Sequence, residues 1–564
     1  MRRLSLFFFN IIFVFSALNA QNHFRYPINY KIRLSGSFGE LRKNHFHTGI
    51  DIKGSGNWKS NKAIAVMDGY ISRIMVKPDG YGNALYINHP NGITSVYAHL
   101  NNFNKKISEI VRKIQYANKT WEINPDSLHI PVTKGEILGQ IGNTGRSFGA
   151  HLHFELRNTI TEHPVNPFRF GIKPKDNIKP TLSMLKIVAL DTSYNVLNSK
   201  KIKIQKSKKG NFFISPSTIK YGAWRVGLEV LGFDKMSGAP NKNGIYSLLL
   251  KVNGEKVYQF KMDSLDFSKQ NCLNAHIDNE EAKSNKKKYN RLYVLPGNDL
   301  DIYRINSKRA IIPLYENKSS NVEIIAKDYD GNTSILKFNL KRDNKIIEPV
   351  PKLYNQHLSY GNKYFIKTFY YKLKIEKKDL FKDMFLFISK SENKKENDYS
   401  DNISIFTNYE VFKNNVDLYI RPLVIDSLAD KICIVKINDK KITNLGNDIV
   451  DGYFHTITKT GGTFKIIPDT IAPTIEPVNY KNKKTRYRKI SFVIKDNFDT
   501  GGLAKEMSYN GYIDDIWVLF TYDKKKNTIT HTFDKTLSKG KHRLKIVVID
   551  DRGNKNVLEK DFWR

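Results

Sequence analysis

The chain has 564 residues, with 92 Lys and Arg against 55 Asp and Glu, a formal net charge of +37 and two cysteines. So few cysteines exclude a disulfide scaffold, and the length calls for several separately packed domains. The basic residues are spread along the whole chain and form no recognition helix, zinc finger or phosphate-binding glycine loop, which argues against a specific nucleic-acid partner.

Arg2 and Arg3 precede an apolar run from Leu4 to Leu18, followed by Asn19-Ala20 and polar Gln21. A basic start, a short apolar core and a small residue at the exit predict a secretory signal peptide over residues 1–20. Asn10 interrupts the run, which is short for a bilayer-spanning helix. The chain is therefore expected in the periplasm, cell envelope or extracellular space, with no transmembrane segment after processing. For an exported chain the excess lysine suits attraction to an anionic wall or membrane surface, or simply a solubilising exterior. Cys272 and Cys433 are compatible with one long-range disulfide or with two free thiols.

From Tyr26 onward the pattern is that of strands and turns. Ala63 to Val66 reads as a strand, Asp68-Gly69 as a turn, and Ile71, Ile74 and Val76 as the next strand. Pro78 to Asn83 is a strong turn signal; Ala84 to His89 and Thr94 to His99 form a hairpin around Asn91-Gly92. Ile107, Ile110, Val111 and Ile114 are spaced for an amphipathic helix over Lys105 to Lys119, either a wall of a groove or an insertion packed on the sheet. Val132 to Ile141 and Leu152 to Leu156 complete the strands.

The chemistry lies in three short segments. His47-Thr48-Gly49-Ile50-Asp51 offers an imidazole and a carboxylate, with Gly49 allowing a tight backbone path between them. His151 and His153 share one face of a strand because side chains repeat every two residues. Two imidazoles and a carboxylate from His47, Asp51 and His153 leave an open position on a tetrahedral Zn2+, as catalysis requires. Such an ion lowers the pKa of bound water and polarises a peptide carbonyl. His99 and His151 then remain for proton transfer and for donation to a developing oxyanion, and the sequence does not divide those roles. Glu155 lies on the face of His151 and His153, but the helical His-Glu-x-x-His string that marks a glutamate base is absent. Glu155 is read as supporting the ligands from behind or as a residue of the sheet rim, with Arg157 on the same face as a candidate structural partner. His45 borders the same segment, His89 reads as structural, and His129 and His163 read as loop residues.

His47 to Asp51, Tyr97-Ala98-His99-Leu100, and Gly142-Asn143-Thr144-Gly145 through His151-Leu152-His153-Phe154-Glu155 resemble the lysostaphin-like, LytM-type zinc peptidases. The resemblance covers roughly residues 30 to 170. It implies His47, Asp51 and His153 as zinc ligands, and His99 and His151 as catalytic histidines flanking a bound water. It also implies a groove in a compact antiparallel sheet domain that cuts peptide stems or cross-links of peptidoglycan. All five positions are intact, which separates the chain from non-catalytic members that lost ligands. The helical insertion departs from the minimal domain and bears on groove width. The alternative reading is a non-hydrolytic envelope-binding or regulatory protein with a structural zinc.

The larger remainder reads as immunoglobulin-like β-sandwich modules, and the fold class expected for the whole is all-β. Ile245 to Val252 and Val257 to Phe260 flank a hairpin turn at Asn253-Gly254. Asn321 to Asp328 ends at Asp330-Gly331-Asn332, and Leu544 to Asp550 ends at Asp551-Arg552-Gly553-Asn554, a recurrence that suggests at least two related modules. The expected division is 21–174 for the peptidase-like domain, 175–345 for a β-sandwich accessory domain, 346–470 for a β-rich accessory domain, and 471–564 for an immunoglobulin-like β-sandwich. No concentrated catalytic constellation is visible in this part; wall binding, spacing the peptidase from the membrane, and contacts with another envelope protein are all open to it.

Overall fold

The computed structural model describes residues 24–392, 399–424, 428–438, 441–479, 488–534 and 537–564. The expected signal peptide lies outside the described residues, as does part of the Lys- and Asn-rich stretch from Lys390 to Asn402. No helix among the described residues is long and apolar enough to cross a membrane.

The amino-terminal domain is built from β1 (Leu34–Gly36), β2 (Ile50–Lys53), β3 (Lys62–Ile64), β4 (Gly69–Val76), β5 (Asn83–Asn88) and β6 (Ile93–Ala98). It continues through β7 (Leu100–Phe103), α1 (Lys105–Ala117), β8 (Ile130–Val132), β9 (Ile137–Ile141), β10 (His151–Asn158) and β11 (Pro164–Val165). The main sheet runs β1-β2-β10-β6-β5-β4-β8, with β11 beside β10, and a small sheet β3-β9-β7 accompanies it. The expected strand at Ala63 to Val66 runs instead over Lys62–Ile64, and beyond it Val66 N donates to the Tyr97 hydroxyl at 2.9 Å and not to a strand partner. The strand material from Val132 to Ile141 falls into two strands, one in each sheet, with a turn between them in which Glu136 N bonds back to Thr133 O at 3.0 Å.

The sheet separates two chemistries. Ile50 and Ile52 of β2, Tyr97 of β6, and Leu152, Phe154 and Leu156 of β10 are fully buried members of one core. The alternate residues Asp51, His151, His153, Glu155 and Arg157 face the other way. Antiparallel pairing sets His153 opposite Asp51 on β2 and opposite Ala98 on β6. A slip of one residue would turn three large apolar side chains of β10 outward, at a cost of about 5 kcal/mol or more. The register that positions the site is thus held by the apolar face behind it.

Helix α1 forms as expected and ends two residues early. Asn104 caps it by accepting from Ile107 N at 2.9 Å, and Ile107 and Val111 are buried in the core. Its outward side meets the last module: Arg112 pairs with Asp534 at 2.7 Å, and the rings of Tyr116 and Trp517 meet edge-on at 5.4 Å. It is a packed insertion, and its outer neighbour comes from the far end of the chain.

The rest of the molecule is mostly β. Strands between Thr181 and Arg342 form two sheets, those between Gln356 and Pro468 two more, and those between Thr474 and Trp563 another two, except that Asp499–Thr500 pairs in parallel with Lys441–Asn444 of the preceding group. The hairpin at Asn253-Gly254 joins Ser247–Val252 to Glu255–Lys261, with both turn residues at positive φ. Short helical turns at Phe267–Cys272, Leu273–His276 and Asn279–Ser284 interrupt the strands. The sequence reading did not anticipate them, because each is too short to establish a helical period. The amino-terminal domain and the 181–342 sandwich share one continuous apolar core, in which Phe46 packs against the ring of His276 at 5.5 Å. Cys272 and Cys433 are each buried and unpaired.

Candidate metal centre and its histidines

His47 arrives on a short loop in which Gly39 N bonds to His47 O at 2.8 Å and His47 N to Glu40 O at 2.9 Å. The loop meets β10 closely. A Cβ on Gly49 would lie 2.3 Å from the Phe154 carbonyl oxygen, so only glycine lets the His47–Asp51 segment approach. The result is a near-equilateral triangle. His47 Nε2 and Asp51 Oδ1, His47 Nε2 and His153 Nδ1, and His153 Nδ1 and Asp51 Oδ1 are each 3.0 Å apart.

The outer nitrogens decide what this triangle is. His47 Nδ1 donates to the Ser37 carbonyl at 2.8 Å, and His153 Nε2 donates to Glu155 Oε1 at 2.8 Å. In the neutral rings both inner nitrogens then carry lone pairs, and they face a carboxylate oxygen. Three lone pairs converging on one point repel unless a proton or a cation lies among them. Ligand atoms bound at about 2.0–2.1 Å to a tetrahedral ion stand roughly 3.3 Å apart, close to the spacing here. The donor set therefore fits a small divalent metal ion.

The charge arrangement agrees. Burial works against an ionised Asp51, but the facing His47, His151 and His153 outweigh it and hold the carboxyl well below its usual range. Asp51 Oδ2 also accepts from Arg42 Nη2 at 2.9 Å. For His153 burial opposes the charged ring, yet hydrogen bonds to Asp51 and Glu155 prevail and lift its pKa to about 9. A cation at the triangle would take the place of that proton.

Glu155 is fully buried behind His153. It accepts from Thr48 Oγ1 at 2.5 Å, Tyr81 OH at 2.7 Å and Arg157 Nε at 2.7 Å. Burial would raise its pKa, but Arg157 and His153 together keep it ionised far below its ordinary value. It is spent on holding His153 and is not free to act as a base.

His99 and His151 stand beside the triangle with ring centroids 4.9 Å apart. His99 follows β6 with a φ of 61°, a left-handed conformation uncommon for a side-chain-bearing residue and frequent at functional sites. Its Nδ1 donates to the Thr144 carbonyl at 2.8 Å, and His151 Nδ1 donates to the Gly149 carbonyl at 2.7 Å. Both rings thereby present Nε2, and that of His151 is 3.4 Å from Asp51 Oδ1. Burial, with His153 and His151 nearby, holds His99 down at about 3, so its Nε2 is an acceptor at neutral pH. The Gly142–Gly145 turn that carries Thr144 is pressed against the 80–82 turn: a Cβ on Gly145 would lie 2.3 Å from Gly82 N.

All six residues singled out in the sequence thus meet at one place. The other histidines do not: His45 is exposed, His89 is buried between the Asp68 carbonyl and Ser95 Oγ, and His129 stacks on Tyr70. Sequence reasoning missed Arg42, Tyr81 and the carbonyls of Ser37, Thr144 and Gly149. The carbonyls leave no sequence signal, since every residue has one.

Residues 45–120 match the model of peptidase family M23. The amino-terminal domain is similar to that family over this stretch. The DD-carboxypeptidase/endopeptidase Mpg of Neisseria meningitidis serogroup B is 34% identical over 146 residues, 25% of this chain and 27% of that protein. The peptidoglycan DD-endopeptidase ShyA of Vibrio cholerae is 28% identical over 175 residues, 29% of this chain and 33% of that protein. The chain therefore matches about a third or less of these relatives' length. Among solved structures, the catalytic domain of lysostaphin from Staphylococcus simulans is similar at 22% identity and a TM-score of 0.19, covering 28% of this chain and 95% of that one. Outside the M23 domain, residues 355–469 match the model of a Zu5-like domain.

Proposed function

We propose that this chain is an exported zinc endopeptidase that hydrolyses peptide stems or cross-links of peptidoglycan. The observation that carries the reading is the 3.0 Å triangle of His47 Nε2, Asp51 Oδ1 and His153 Nδ1, with both outer ring nitrogens committed as donors. These three residues would hold zinc, the usual partner of two imidazoles and one carboxylate. When bound, zinc supplies Lewis acidity and a water acidic enough to deprotonate near neutral pH. The substrate class is supported by the M23 match and by the names of the peptidoglycan-acting relatives.

In this reading His99 and His151 do the proton work at Nε2. Their Nδ1 protons are held by the Thr144 and Gly149 carbonyls, so each ring can accept a proton at Nε2 or, once protonated there, donate to an oxyanion. Glu155 with Arg157 behind it keeps the His153 ring oriented. The accessory part is divided near residues 174, 345 and 470 and would present the peptidase to the wall or to an envelope partner.

The test is mass analysis of soluble fragments after the purified, signal-free chain is incubated with peptidoglycan, with and without a zinc chelator. Chelator-sensitive release of peptides cut at one bond type is expected. A zinc-loaded chain that binds peptidoglycan of several chemistries and releases no peptide from any would overturn the reading in favour of a binding role.

A further inference from the structure

Two acidic sites outside the M23 domain are built alike. Asp176, Asp234 and Asp328 bring one oxygen each within 4.8 Å of one another, and so do Asp469, Asp496 and Asp550. The sequences around them repeat: Asp176-Asn177-Ile178-Lys179-Pro180-Thr181 matches Asp469-Thr470-Ile471-Ala472-Pro473-Thr474. Asp328 and Asp550 each precede Gly-Asn by one intervening pair, ending at Asn332 and Asn554.

The placement in the fold repeats as well. Asp176 and Asp469 lie in the connectors ahead of the strands Thr181–Leu190 and Thr474–Pro477. Asp234 and Asp496 directly follow the strands paired with those, Arg225–Phe233 and Lys489–Lys495. Asp328 and Asp550 directly follow Ser319–Lys327 and Lys541–Ile549. In both turns the asparagine folds back on its aspartate: Asn332 N and Asn554 N each bond to Oδ1 at 2.8 Å. Each asparagine Nδ2 also donates to the connector carbonyl, at 3.3 Å for Asp176 and 2.8 Å for Asp469.

A second feature shows that these triads lack a counter-charge. Asp234 is 2% exposed and Asp469 1% exposed, yet Asp234 Oδ1 and Asp469 Oδ2 have no hydrogen-bond partner, and neither has Asp496 Oδ1. The cations nearby are taken by neighbours, Lys173 by Asp330 and Arg552 by Asp551. Among the described residues none of the six aspartates is in an ion pair with Lys, Arg or His. Three carboxylates at this separation cannot all be ionised in a buried site without a cation. Burial with the adjoining aspartates accordingly pushes Asp234 up to about 8 and Asp496 up to about 6.

We propose that each triad is a Ca2+ site that clamps a module's incoming connector to its strand ends. The donors are all oxygen, which selects a hard cation over zinc. Oxygens bound at about 2.3–2.6 Å to one ion stand up to roughly 5 Å apart, so the triads fall within that span, and Ca2+ tolerates an irregular oxygen cage where Mg2+ demands near-ideal octahedral geometry. The consequence is orientation. One clamp lies at the connector after the M23 domain; the other orients the last module, whose Lys525 bonds to the carbonyls of Asn143 and Ser147 near His151.

The test is equilibrium dialysis of the zinc-loaded full chain, depleted of calcium with EGTA, against radiolabelled Ca2+. Two equivalents are expected, with a Kd of about 0.1–1 mM as in extracellular modules. Asp234→Asn and Asp496→Asn should each lose one equivalent, and the combined variant both, with zinc content unchanged. No saturable uptake by the wild type up to about 10 mM, a single equivalent, or two equivalents retained by the combined variant would each overturn the proposal. Should a variant fail to fold, the wild type still decides. Ca2+ but not Mg2+ must slow proteolysis at the connectors around Asp176 and Asp469, and equal rates in the two ions would refute the clamp.

Discussion

Glu155 grips His153 from behind: its Oε1 receives the ring's outer nitrogen at 2.8 Å, while Arg157 holds Oε2 at 2.7 Å. The inner nitrogen is thereby turned to Asp51 and His47, and a buried ion pair stands directly behind the candidate metal centre. Glu155→Gln should weaken zinc affinity by about 10–100-fold, because the supporting carboxylate is lost. It should also leave Arg157 buried without its counter-charge and lower stability by about 3–5 kcal/mol. Competition with a chromophoric chelator and chemical denaturation would measure the two effects separately.

His99→Ala and His151→Ala should each cut peptide release by about 10²–10⁴-fold while the chain keeps its zinc. Neither ring belongs to the 3.0 Å triangle. The readout is zinc stoichiometry beside fragment release from peptidoglycan. Loss of zinc in either variant would move that histidine from proton transfer to metal ligation.

Zinc affinity should climb with pH through the neutral range and level off above about pH 9, since the ion must displace the proton that Asp51 and Glu155 hold on His153. An ordinary histidine would set this window near about 6.5; the buried carboxylates move it upward. The sign for the metal-free chain is opposite. A folded pKa of about 9 makes the His153 contribution to stability complete below about pH 6.5 and lost as pH rises through 9. Zinc titrations and denaturation curves between pH 6 and 10 would record both trends, and a flat zinc affinity across that range would refute the first.

Replacing Trp517 and Lys525 together with alanine should free the last module from α1 and from the Asn143–Ser147 turn. The Trp517–Tyr116 edge contact is worth about 0.5–1.5 kcal/mol and the exposed Lys525 bonds less. The expected result is faster proteolysis at the connector near Thr470 and a larger radius of gyration by X-ray scattering, with zinc retained.

Much of this molecule is legible from local pattern. The period of two puts His151, His153 and Glu155 on one face, Asn253-Gly254 specifies its hairpin, and the spacing of Ile107, Val111 and Ile114 specifies α1, since each depends only on neighbours along the chain. The five candidate ligand and proton-transfer positions stand out because their residue types are unusual and their spacing short.

The tertiary structure decided what local pattern cannot carry. The carbonyls of Ser37, Thr144 and Gly149 choose which histidine nitrogen faces inward, and carbonyls are the same in every residue. The reach of Arg42 to Asp51, the core shared between the M23 domain and the next sandwich, and the return of Lys525 to the Asn143–Ser147 turn join segments that nothing along the chain connects. The two aspartate triads lie between these cases. Their repeat can be read in the sequence, but only folding brings strand ends and connector together and leaves these carboxylates without an ion pair to Lys, Arg or His among the described residues.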